Sequence, residues 1–215
     1  PVEYEVGPTG DDEYRHFVIP TNFDEDVYVR AIDIQPGNRN TVHHVIVFLD
    51  TSGVARRLDS ADPKPGYEAF GWPGFIPAGM LGGWAPGFSP SVLPEGTGYR
   101  LPKGADIVLQ IHYYRTGKPE KDRTRVGLYL EKRPNPQPVG IAWIINPLFR
   151  IPAGAERHEV WAMWMAPRDV DVVAITPHMH LLGREMKVEA ELPDGTKKTL
   201  VWIDDWDFKW QDTYH

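Results

Sequence analysis

The fold class this sequence predicts is all-β, and three observations carry it. Proline (21) and glycine (20) make up nearly a fifth of the 215 residues, so almost every window in which a 3.6-residue period could build is interrupted. Between those breaks lie short runs rich in Val, Ile, Tyr and Trp, the composition of strands. A Pro-x-Gly form recurs at Pro94–Gly96, Pro102–Gly104 and Pro152–Gly154. Proline presets one turn dihedral there and glycine permits positive φ at the next corner.

In chain order the strand-like runs are 14–19, 27–34 and 43–50, then 106–114 directly after the turn at Pro102–Gly104, then 125–131. Further runs follow at 140–145, 158–164, 171–176, 186–192 and 199–203, the last two joined by Pro193-Asp194-Gly195, a hairpin turn of the Asp-Gly kind. Residues 59–100 break the rhythm, dense in glycine, proline and aromatics, and read as a long loop of the sort that binds or caps. Three prolines in residues 134–138 resist both helix and central strand and mark a domain boundary. The expected organisation is two antiparallel β-sandwich domains, 1–132 and 139–215. The second is short for a sandwich and is expected to continue beyond the C-terminus.

Composition excludes several partners. A formal charge of −7 without a long basic block argues against binding a phosphate backbone, so no nucleic acid is expected. No apolar run approaches the ~20 residues that span a bilayer. Zero cysteines remove disulfides, thiolate nucleophiles and thiolate ligands together. Any metal site must then use His, Asp, Glu or Met. The alternating pair Met163 and Met165 reads as core filling.

Five of the eight histidines fall in three strand-like segments: His43-His44, then Gln110-Ile111-His112-Tyr113, then His178-Met179-His180-Leu181-Leu182-Gly183. His-x-His in a strand puts both imidazoles on one face, because side chains alternate. The adjacent pair His43 and His44 can share a metal only at a strand end or bulge, and is expected to use different ring nitrogens. Gln110 shares a face with His112 and is expected to hydrogen-bond beside that site. Imidazoles without thiolates suit copper, zinc or iron, and the Irving–Williams order favours copper. Affinity should fall below about pH 6, where free histidine protonates.

In that order, these three segments resemble the markers of the copper type II, ascorbate-dependent monooxygenases, which include peptidylglycine α-hydroxylating and dopamine β-monooxygenases and bacterial relatives. The stretch Leu93-Pro94-Glu95-Gly96-Thr97-Gly98-Tyr99-Arg100 also resembles the family segment before the second marker. The resemblance runs from about residue 20 to the end. It implies two jelly-roll sandwiches facing across a solvent-filled cleft and two copper ions, one per domain. His43, His44 and His112 would hold an electron-transfer copper. His178 and His180 would be the catalytic pair, expected to gain a methionine ligand from beyond residue 215. The implied reaction hydroxylates a C–H bond of a small-molecule or peptide substrate with O₂ and a reductant such as ascorbate, in the periplasm or outside the cell. Cysteine content places the chain nearer the bacterial branch. Thr176 stands where peptide-amidating members carry a carboxylate-gripping arginine. Two other readings remain open: a non-catalytic copper-binding sandwich, and a cupin-like metalloenzyme using His178, His180 and Glu185.

Overall fold

The computed structural model describes residues 2–208 and 210–215. Its elements in order are β1 (Tyr4–Val6), β2 (Glu13–Pro20), β3 (Val27–Gln35), β4 (Val42–Asp50), α1 (Val54–Ala61), β5 (Tyr67–Glu68) and β6 (Gly79–Trp84). They continue with β7 (Thr97–Leu101), β8 (Asp106–Tyr113), β9 (Glu120–Asp122), β10 (Arg125–Leu130), β11 (Gln137–Val139), β12 (Met186–Glu191) and β13 (Lys197–Ile203). The all-β expectation holds.

Alternation builds the main body. In β4, Val45, Val47 and Leu49 are fully buried and point one way, as do Ile107, Leu109 and Ile111 of β8. These strands form the centre of a five-stranded sheet in the order β5-β2-β8-β4-β6. Its apolar face packs with Val29, Ile34 and Leu101 from a four-stranded sheet ordered β10-β3-β7-β11, so two sheets enclose one core. At roughly 1.5–3 kcal/mol for each large aliphatic side chain removed from water, this shared layer is the main stabilising element. The β1–β9 pair adds Tyr4 and Val6 to the same core.

The opposite face of the five-stranded sheet is divided. One half is capped by α1 and the aromatic loop through Ala55, Tyr67 and Phe75, which pack on Phe48 and Val108. The other half carries Tyr14, His112 and His44 in one row across β2, β8 and β4.

The structure corrects several sequence expectations. Runs 140–145, 158–164 and 171–176 form no strand; Ile175 makes a single bridge to Tyr214. Strand-like composition is not sufficient, because a strand also needs a partner ladder. Trp143, Trp161, Met163 and Met165 stay exposed, so the two methionines do not fill a core. Residues 59–100 are no structureless loop: they hold the end of α1, all of β5 and β6, and most of β7. β6 hid from its composition because a Cβ at Gly83 would stand 2.5 Å from the Val45 carbonyl oxygen, which forces glycine into a strand interior. The eight-residue α1 was too short for a periodic signal; Asp50 accepts from the Ala55 N–H at 2.8 Å and anchors its first turn. β11 lies on the proline-rich segment and pairs in parallel with β7, so the four-stranded sheet runs as far as Val139.

The Asp-Gly hairpin forms as expected. Gly195 has φ 82°, and β12 and β13 pair antiparallel around it. Among the described residues, no helix is long and apolar enough to cross a membrane.

Candidate metal centre

The first three histidines meet because of one extra residue. Val42 pairs with Tyr113 and His44 pairs with His112, which leaves His43 bulged out of register on β4. A bulge lets two consecutive residues serve the same side of a sheet. His43 Nδ1 lies 3.1 Å from His44 Nδ1 and 3.1 Å from His112 Nδ1. The bulge that the adjacent pair required is present. The two rings converge through the same nitrogen, not through different ones.

His112 is oriented from behind. Its Nε2 lies 2.8 Å from the Asp12 carboxylate, which can only accept, so the proton is on Nε2 and the Nδ1 lone pair faces His43. Tyr14 stacks on the other side of the ring, with centroids 4.2 Å apart and planes 11° apart. All three histidines are buried.

The second pair is held by a different part of the chain. Residues 175 and 214 exchange two backbone hydrogen bonds of 2.8 Å, and Thr176 and Thr213 share a hydroxyl hydrogen bond of 2.8 Å. This places His178 Nε2 3.2 Å from His180 Nε2. His178 Nδ1 lies 2.6 Å from Oε1 of the buried Gln211. The pair sits directly on the first group, with ring centroids 5.3 Å apart for His43 and His180 and 5.5 Å for His44 and His178. Both residues of the pair are exposed as a whole, while the ring edges that face Gln211 and the other imidazoles are packed among protein atoms.

The five imidazoles therefore form one cluster. They do not face each other across a solvent-filled cleft. Two overlapping groups can each hold an ion, His43/His44/His112 and His44/His178/His180, and His44 belongs to both. The spacing tests the fit: imidazole nitrogens about 2.0–2.1 Å from a shared ion lie roughly 3 Å apart. The 3.1 and 3.2 Å separations meet that requirement, and without a cation the same nitrogens share N–H···N hydrogen bonds.

Electrostatics keep the ligands in the metal-binding form. Burial, then the neighbouring imidazoles, push His43 down to about 3 and hold His44 well below the usual histidine range. His178 is lowered by the same causes in the same order, although Gln211 opposes the shift. Burial lowers His112 and His180 too, with Asp12 opposing it in both. Neutral imidazole is the ligating form. Proton competition in the folded cluster is therefore displaced to more acid pH than the value of about 6 expected from free histidine.

Gln110 does not serve this site. Its side-chain nitrogen lies 2.8 Å from Nε2 of His16, a fully buried histidine stacked on Tyr67. Glu185, which the cupin-like reading requires, pairs with Arg157 at 3.0 Å and accepts from Trp202 Nε1 at 3.0 Å. Sequence reasoning missed Asp12, Tyr14, Gln211 and Phe208, whose ring stacks on His43 with centroids 4.6 Å apart. Replacing Asp12 with alanine is expected to weaken metal binding about 10-fold to 100-fold. A competition titration with a chromophoric chelator measures the change. Unchanged affinity would mean the carboxylate does not orient His112.

Comparison with protein-family models and with curated proteins found no match to the chain. What the fold and site define is an all-β protein with histidine clusters able to hold a metal ion.

Proposed function

We propose that the protein is a copper-dependent monooxygenase that hydroxylates a C–H bond with O₂ and a reductant such as ascorbate, working in the periplasm or outside the cell. The observation that carries this reading is the five-imidazole cluster, half buried and half open, in a chain with no thiolate. The resemblance of its three marker segments to the copper type II family supports it independently. Copper held there would pass electrons from the reductant and activate dioxygen.

The chain's own residues divide the work. His43, His44 and His112 offer buried Nδ1 atoms shielded by Tyr14 and Phe208, an environment for an ion that exchanges electrons without meeting substrate. His178 and His180 are the catalytic pair: their Nε2 atoms face the same point, and their exposure leaves room for O₂ and a substrate. Asp12 holds the His112 proton away from the ligand atom. Thr176 is occupied with Thr213 and offers no cation to a peptide carboxylate, so we propose a substrate without that handle.

The test pairs stoichiometry with turnover. Equilibrium dialysis is expected to load two copper ions, and the loaded protein is expected to consume O₂ only when ascorbate and an oxidisable substrate are present. Binding without reductant-dependent hydroxylation would sink the enzymatic claim and favour a copper-binding module. A chain that loads no copper would remove both.

A further inference from the structure

We infer that Gln211 is a positioning residue for His178: it fixes which nitrogen ligates and anchors the His178–His180 pair against the first histidine group. The inference rests on the metal-centre reading above.

The amide orientation is settled by its surroundings. Gln211 Nε2 lies 2.8 Å from the Phe208 carbonyl oxygen, which can only accept, so the NH₂ end must face Phe208. The amide oxygen then faces His178 Nδ1 at 2.6 Å, and that nitrogen must donate. With the proton held on Nδ1, Nε2 carries the lone pair, and Nε2 is the atom 3.2 Å from His180 Nε2. Gln211 is only 2% exposed, so no water can replace the acceptor without moving the chain.

The same residue reaches the main body. Its backbone N–H donates to the Pro86 carbonyl at 3.1 Å, just beyond the end of β6. Its amide holds the main chain of Phe208, whose ring lies on His43. One glutamine thus connects the open pair, the buried group and the edge of the five-stranded sheet. Without an acceptor at Nδ1 the His178 proton can move to Nε2, where it blocks the ligand atom.

Two variants separate these roles. Gln211→Met keeps the size and removes both the acceptor for His178 and the donor to Phe208. Gln211→Glu keeps an acceptor for His178 and loses the donor to Phe208. Long-range ¹H–¹⁵N correlation spectra of the metal-free full chain report which His178 nitrogen is protonated, without any metal or activity. The wild type is expected to show the proton on Nδ1, Gln211→Met to show a population protonated on Nε2, and Gln211→Glu to restore the wild-type pattern.

In copper titrations Gln211→Met should weaken the ion held by His178 and His180 about 10-fold to 100-fold, and more than Gln211→Glu does, since both variants lose the tie to Phe208 and only Met loses the acceptor. A wild-type His178 protonated on Nε2 would overturn the inference. So would a folded Gln211→Met protein that keeps both the tautomer and the affinity. If that variant does not fold, the wild-type and Gln211→Glu spectra decide alone. If the wild type binds no metal, the metal reading falls while the tautomer result still decides the role of Gln211.

Discussion

Replacing His44 with alanine is expected to weaken metal binding at both histidine groups, by about 100-fold or more at each. His44 is the one residue common to the two groups, its ring centroid lies within 5.5 Å of those of His43, His112 and His178, and serving two ions at once takes both of its ring nitrogens, as a bridging imidazolate. A four-ligand structural metal site is worth roughly 10–16 kcal/mol, so one imidazole contributes on the order of 3 kcal/mol, or two decades of affinity. His180→Ala supplies the contrast, because it should weaken one ion and spare the other. Isothermal titration with a competing chelator resolves the two. If His44→Ala loses only one ion, the groups are independent and the overlap at His44 has no energetic meaning.

Acid should destabilise the metal-free protein well before its carboxylates are titrated. His16 is fully buried, and burial pushes it down to about 4, while His43 is pushed down to about 3. In the unfolded chain both would titrate near 6.5. The unfolded state therefore binds more protons below pH 6.5, and stability present above that value is lost as pH falls toward the folded values. His16 alone contributes about 3 kcal/mol across that window. Urea unfolding of the metal-free protein at pH 7 and pH 4.5 measures it. His16→Gln should remove a large part of the difference. A urea midpoint that does not move between those two values would show that these histidines are not held neutral by the fold.

The legible parts of this molecule are those whose composition is strand-like between turn residues. β2, β3, β4 and β8 were visible as short runs rich in Val, Ile and Tyr, with β8 buried at every position, and the hairpin at Gly195 because Asp-Gly has one conformational preference. The five candidate ligands were legible from residue type and spacing, and the structure brings all five together. Their partners were not. Asp12 lies 100 positions from His112 and Gln211 lies 33 from His178, and no local pattern connects residues so far apart. Gln110 misled because sharing a face is not sharing a partner: two residues along β8 its amide meets His16 instead. Runs such as 158–164 misled because strand-like composition does not by itself supply a partner ladder, and these residues have none.

The bulge at His43 makes sheet register and metal capture a single variable. Had Val42–His44 paired without the extra residue, His43 and His44 would face opposite sides, one toward the oily layer between the sheets and one outward. A chain folded with β4 slipped by one position would still bury apolar residues, yet it could not gather three Nδ1 atoms. Metal uptake is thus an assay for correct pairing of β4 with β8. A metal ion present during folding would act as a proofreader, stabilising only the chains whose strands are aligned.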